Sequence, residues 1–224
     1  MGGRVFLPSV EDVLNVSKGP LDRQTHYIKK VRYPSHGGYQ SYAQRLIDGA
    51  KIRLNSRVVR IDLSKQEVYC ADGSSYRYRR LINTIPLPVF LSCCDSVTSA
   101  VLEASKELLC SSIQLVNVMA HHETLRPENW MYVYDEDKYS VRINCTEKLS
   151  PNNAPQGYTG VQVEVYHSRC RPQDATPEKV ESAVTDELIE MGLVSPEESG
   201  GRDSIHVFSR MVPWANDIFH HETR

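Results

Sequence analysis

One stretch, Ile52 to Pro88, reading IRLNSRVVRIDLSKQEVYCADGSSYRYRRLINTIPLP, limits most strongly what this chain can fold into. Three strand-like runs occur in it, Arg57 to Leu63, Gln66 to Cys70 and Tyr76 to Thr84, parted by Ser64-Lys65 and by Ala71-Asp72-Gly73-Ser74. Asp-Gly supplies residues that tolerate positive φ, so the spacing predicts a tight turn and an antiparallel meander. The third run passes into apolar Leu81-Ile82-Asn83-Thr84-Ile85 and stops at Pro86, which lacks a backbone N–H and cannot continue a ladder. An abrupt apolar strand end is a common place to hold a ligand. By periodicity alone, an ordinary sheet edge leading to a turn accounts for it as well.

Ahead of the meander, Ser9 is a candidate helix cap for Val10, Val13 and Leu14, and the polar, aperiodic Gly19 to Lys30 reads as a loop. Tyr39, Tyr42, Ala43, Leu46 and Ile47 recur at the spacing of an amphipathic helix, with Gly37-Gly38 at its N-terminus. Free N–H groups there suit an anion, but a Gly-Gly pair before a helix is equally a plain turn.

After Pro88 the pattern changes. Ser96 to Cys110 has helical spacing, and a series of strands comes next: Ile113 to Ala120, Trp130 to Tyr134, Tyr139 to Asn144 and Val161 to His167. In Val161-Gln162-Val163-Glu164-Val165 the valines alternate with polar residues, as in an antiparallel sheet covered on one face. Leu149 to Gly157 is a loop by composition. Thr176-Pro177-Glu178 opens a helix whose apolar stripe is Val180, Val184, Leu188 and Met191, ending at Gly192. Ile205 to Phe208 is one more strand. The fold class expected is α/β in the α+β sense: a meander with its helix, then an antiparallel sheet with flanking helices.

Composition excludes several functions. With 26 basic and 28 acidic residues interspersed, no polybasic field for nucleic acid or anionic lipid is present. Nowhere do enough apolar residues run together to span a membrane, and no basic-then-apolar leader is seen, so a cytoplasmic location is expected. The six cysteines (Cys70, Cys93, Cys94, Cys110, Cys145, Cys170) lack metal-clamp spacing and read as free, mostly buried thiols of a reducing compartment. The pairs His121-His122 and His220-His221 read as surface histidines, and no metal site is expected. Nucleophile-elbow, zincin, P-loop and G-x-G-x-x-G motifs are all missing, so no catalytic residue is assigned. What remains suited to binding is Arg142 in mid-strand, Trp130 and Tyr132 on the preceding strand, and Asn152-Asn153 in the loop after it. Arg142 has the planar fork that pairs phosphate oxygens, or it is simply solvated.

RYPSHGGYQSYAQRL, KIRLNSRVVRIDL and YCADGSSYRYRRLINTIPLP, in that order, resemble an internal piece of the FAD-binding domain of the flavin-containing amine oxidase and protoporphyrinogen oxidase-like superfamily. NWMYVYDEDKYSVRINCTEKLSPNNAPQ, the VQVEVYHS strand, the helix from Thr176 and SRMVPWANDIF resemble its UDP-galactopyranose mutase branch. The resemblance implies FAD as cofactor and a small-molecule substrate, in that branch a nucleotide sugar. It implies a helical segment over 1–30, a partial FAD-binding domain over 31–90, a substrate domain over 91–212 and a return towards the FAD domain over 213–224. Carried over by position, Gly37, Gly38, Val58, Thr84, Ile85 and Pro86 fall at the cofactor, and Trp130, Tyr132, Arg142 and Asn152 at the substrate. Leu149 stands where the mutases have a diphosphate-binding tyrosine, and Pro213-Trp214-Ala215-Asn216 lacks a tyrosine found near the sugar. The superfamily's opening Gly-rich turn and its closing Gly-rich segment have no counterpart. The expectation is therefore the central portion of a flavoenzyme that needs a complementary chain for its cofactor. Its chemistry would be sugar ring contraction by reduced flavin; hydride removal by an oxidase, or a remnant without catalysis, are the alternatives.

Overall fold

The computed structural model describes residues 10–16, 18, 32–169, 171–215 and 219–220. The Ser9 cap, the Gly19 to Lys30 loop, Cys170, Asn216 and His221 lie outside these.

The meander forms from β1 (Val58–Asp62), β2 (Glu67–Cys70) and β3 (Ser75–Arg77), paired antiparallel in that order. Gly73 takes φ 84° at the second turn, where the Asp72 carboxylate accepts the Ser74 N–H at 2.9 Å. At the first turn the Asp62 carboxylate accepts the Lys65 N–H at 2.8 Å and the Ser64 hydroxyl at 2.7 Å. Those two bonds hold Asp62 down at about 2, well under the ordinary carboxylate range.

The third strand is shorter than the expected Tyr76 to Thr84. Its last ladder bond runs from the Tyr78 N–H to the Gln66 carbonyl, and there β2 begins, so no described strand lies alongside Arg79 to Ile85. Leu81, Ile82 and Ile85 are accordingly exposed, Ile82 by 87%. After Pro86 the chain enters a helix that the pattern did not indicate, α3 (Leu87–Cys93), with Pro88 in its first turn where no N–H is needed. The Asp95 N–H then bonds the Ile61 carbonyl at 2.8 Å and ties this segment back to β1.

The helix expected over Tyr39 to Ile47 is broken into a 3-10 turn (Tyr39–Tyr42) and a short helix, α2 (Gln44–Asp48). Its apolar stripe stands exposed at Tyr39, Tyr42 and Leu46, with no cover among the described residues. α1 (Val10–Val16) forms as expected. α4 (Ser99–Lys106) is capped by the Thr98 hydroxyl, and Leu108–Leu109, expected at its end, instead forms β4, pairing with β10 (Phe219–His220).

The core sits under the second sheet. β5 (Ser112–Ala120), β6 (Trp130–Tyr132), β7 (Arg142–Cys145), β8 (Thr159–His167) and β9 (His206–Val212) pair antiparallel in the order β6-β7-β8-β5-β9. One face buries Val116, Val118, Ile143, Val161, Val163 and Val165 against Val180, Val184 and Leu188 of α6 (Pro177–Glu190). The Thr176 hydroxyl caps α6, and Gly192, at φ 67°, ends it. Cys145 belongs to this core, and burial pushes its thiol up to about 11.

β7 starts later than the expected Tyr139 because the N–H groups of Tyr139 and Ser140 are diverted to the buried Glu187 carboxylate of α6, at 2.8 and 3.0 Å. The Ser140 hydroxyl donates to the same carboxylate. The Leu149 to Gly157 loop contains the end of α5 (Thr146–Leu149) and a 3-10 turn over Pro151–Asn153. α7 (Pro196–Ser199) precedes β9. No described helix is long and apolar enough to cross a membrane.

Candidate functional site

The alternation that buries one face of the five-stranded sheet presents the other. Cross-strand register sets its side chains in rows. Tyr132, Arg142, Glu164, Leu115 and Arg210 lie in one row, and Trp130, Asn144, Gln162, Asn117 and Phe208 in the next. On the other side of the first row run Tyr166, Ile113 and Val212. Three expected substrate residues, Trp130, Tyr132 and Arg142, are thus brought onto one surface, together with Phe208, which is 63% exposed. The Gln162 amide donates to the Asn117 side chain at 2.9 Å, fixing the centre of the second row.

Arg142, expected either to meet a phosphate or to be solvated, is paired with a carboxylate of the neighbouring strand. One guanidinium Nη donates to the Glu164 carboxylate, and the Tyr166 hydroxyl donates to the other oxygen of that carboxylate. Burial works against the charge on Arg142, but the adjacent carboxylate outweighs it and raises its pKa. Burial first, then the bond to Glu164, pushes the Tyr166 phenol up to about 12. The sequence carried a signal for this pairing: Glu164 and Tyr166 are polar positions of the clearest alternating strand, two residues apart on the outward face.

A cleft of about 470 Å³ opens beside the row that ends at Val212. Thr84, Ile85, Pro86 and Leu87 form one wall, and Val212, Pro213 and Trp214 the other. Asn83 shapes the first wall, its amide bonding the Ile85 carbonyl at 3.0 Å while its side-chain oxygen accepts the Ile85 N–H at 3.1 Å. The second is held to β5 by the Ala215 N–H on the Ser111 carbonyl, 3.0 Å. Apolar walls with one indole and one hydroxyl suit a flat ring.

The glycine pair is placed elsewhere. Gly37 and Gly38 take φ 77° and 62°, conformations open to glycine, and the turn is closed by the Ser41 hydroxyl on the Gly38 carbonyl. Asn152 meets it from the sheet side: its amide and the Ser150 hydroxyl both donate to the Ser35 carbonyl, at 2.6 and 2.7 Å. The structure therefore brings Asn152 to the glycine turn as a clamp. Val58 lies at a bulge in β1, opposite Cys70.

The histidine pair at 121–122 differs from the surface reading. His121 is exposed, its ring 4.6 Å from that of Tyr158, but His122 is buried, accepting the Ser195 N–H at Nε2 and facing the Glu123 carbonyl with Nδ1. It is a structural link between β5 and the segment after α6. Among the described residues no cluster of metal-ligating side chains forms, and Cys70, Cys93, Cys94, Cys110 and Cys145 form no disulfide.

A profile of the family described as flavin containing amine oxidoreductase matches residues 1–209. No curated protein matches. Among solved structures, a reduced UDP-galactopyranose mutase superposes with a TM-score of 0.68 at 16% identity, over 82% of this chain and 41% of its own. A putative protoporphyrinogen oxidase from Exiguobacterium sp. 255-15 gives 0.58 at 16%, over 78% and 38%. A protein from Pyrococcus furiosus gives 0.53 at 14%, over 70% and 36%. At these identities the likeness is one of fold, and the chain spans about two fifths of the length of the structures it matches.

Proposed function

The chain belongs to the flavin-containing amine oxidoreductase family, and from that premise we propose that it forms the substrate-facing part of an FAD-dependent enzyme. The outward face of the five-stranded sheet is the wall against which a small-molecule substrate is held. The observation that carries this reading is the adjacency of the Thr84–Trp214 cleft to that face through Val212, which lines the first and stands in a row of the second.

The residues present fit a flavin at its ring end. The cleft is lined mainly by apolar residues, the Trp214 indole among them. The Gly37-Gly38 turn leaves backbone open to a phosphate, and Val58 offers main chain for the adenine end. FAD, when bound, supplies redox or nucleophilic chemistry at its ring. This chain's own residues do the rest: Trp130, Tyr132 and Phe208 exclude water from one side of the substrate, Gln162 and Asn117 orient its polar groups, and Arg142 with Glu164 holds the middle of the wall.

Two chemistries are compatible with this arrangement. A mutase-like rearrangement of a nucleotide sugar is supported by Trp130, Tyr132 and Arg142 sharing one surface. Oxidation of a ring or amine substrate is supported by the pairing of Arg142 with the Glu164 carboxylate, which balances its charge. A further polypeptide segment, complementary to this one, completes the cofactor site by pairing with Leu81 to Ile85, whose apolar side chains stand exposed.

Titrating FAD into the full chain, alone and after co-expression with polypeptides encoded beside its gene, tests the reading. Saturable binding is expected, with quenching of the Trp214 emission and loss of that quenching in Trp214→Phe. Absence of flavin binding under both conditions refutes it and leaves the remnant without catalysis.

A further inference from the structure

The Arg142 pairing has a consequence for substrate class, one that rests on the sheet face being the substrate wall. Both oxygens of the Glu164 carboxylate are engaged, one by Arg142 and one by the Tyr166 hydroxyl. The Glu164 side chain is 8% exposed, that of Arg142 38%. An arginine grips a phosphate by presenting two parallel N–H groups, and the fork of Arg142 that includes Nε is closed to a ligand. One N–H of Nη2 is given to Glu164, and Nε is buried without a hydrogen-bond partner in the structure, which leaves the N–H groups of Nη1 outside the pairing with the carboxylate. A phosphate that drew the whole guanidinium to itself would have to compete with a carboxylate that is nearly buried and held in place by a second bond. That carboxylate would then keep only the Tyr166 hydroxyl, with a new anion beside it, and removing one partner of a buried ion pair is strongly destabilising.

We propose that Glu164 is a specificity residue that locks Arg142 and turns the wall against diphosphates, so that the substrate is an uncharged ring without phosphate. The surroundings agree with this. The flanking groups are aromatic faces and side-chain amides: Trp130, Tyr132, Phe208, Asn117 and Gln162. Tyr132 is the cross-strand neighbour of Arg142 on β6. Arg210, the other cation of the row, stands exposed on the edge strand with two strands between it and β7, and does not converge with Arg142.

Isothermal titration of the full chain with UDP and, separately, with inorganic pyrophosphate tests the lock. The wild-type chain is expected to bind neither saturably. Glu164→Ala is expected to gain affinity for both by at least about tenfold, and the gain is expected to vanish in the double variant Glu164→Ala/Arg142→Ala. Glu164→Gln, which keeps the side chain's shape and an acceptor, is the second variant should Glu164→Ala fail to fold, and is expected to show a smaller gain of the same kind. UDP binding by the wild-type chain that falls about tenfold in Arg142→Ala overturns the proposal, as does a folded Glu164 variant with no gain. FAD titration is read on the same samples: a pyrophosphate gain without flavin binding keeps the lock and fails the flavoenzyme reading, whereas flavin binding with Arg142-dependent UDP binding does the reverse.

Discussion

Glu187→Ala removes the acceptor on which the start of β7 depends. In the native fold this carboxylate, buried on α6, receives the Tyr139 N–H at 2.8 Å, the Ser140 N–H at 3.0 Å and the Ser140 hydroxyl. Ser140 is 1% exposed, so water cannot replace the lost partner. A hydrogen bond to a charged group contributes about 1.5–3 kcal/mol, and a buried donor left without a partner costs about 1–3 kcal/mol. The three bonds converge on one group and do not add, so the expected loss is about 3 kcal/mol. For a chain of this size that corresponds to a fall in Tm of about 6–12 °C. Urea unfolding followed by circular dichroism, with calorimetry on the same samples, measures it. Glu190→Ala, one turn further on and 66% exposed in its pair with Lys138, is the control and is expected to change stability by less than about 1 kcal/mol. Equal, small effects for the two substitutions would refute the argument that Glu187 determines where β7 begins.

Three further outcomes are expected. Asp62 titrates at about 2 in the fold against 3.8 ordinarily, so its contribution is present above pH about 4 and lost as pH falls towards 2; Asp62→Asn should flatten that limb of a urea-midpoint profile. The Tyr166 phenol, raised to about 12, contributes stability that is complete below pH about 10 and lost as pH rises through 12; ultraviolet difference titration should find one late-ionising tyrosine in the wild type that is absent in Tyr166→Phe. Gly160→Ala places a Cβ 2.9 Å from the Thr146 hydroxyl, which is itself bonded to the Gly160 carbonyl, and should cost about 1–3 kcal/mol in urea unfolding.

Local chemistry made some of this architecture readable in advance. Asp72-Gly73 and Thr176-Pro177-Glu178 state their turn and their helix within a few residues, and the valines of β8 alternate because only one face is buried. What escaped the pattern depended on distant partners. Tyr78 to Thr84 has strand composition, yet a strand exists only where a neighbour supplies the ladder, and β2 begins only at Glu67, opposite Arg77. α3 was hidden because Pro86 and Pro88 read as a stop, although proline is at home in a helix's first turn. In the candidate site, Trp130, Tyr132 and Arg142 were named from composition and do share a face. Their meaning changed with Glu164, which becomes a neighbour of Arg142 only through the β7–β8 register. Asn152 and His122 are similar cases, polar side chains whose partners, Ser35 and Ser195, lie far along the chain.

The clamp on the Ser35 carbonyl also bears on the order in which the molecule is made. Its two bonds join residues 115 and 117 positions apart, so the loop they close is among the most entropically expensive in the chain. Such a contact rewards the chain only after the intervening sheet is in place. The glycine turn therefore acquires its final position late, on a platform already built, and substitutions at Ser150 or Asn152 should hasten its release in unfolding while leaving the rate of sheet formation unchanged.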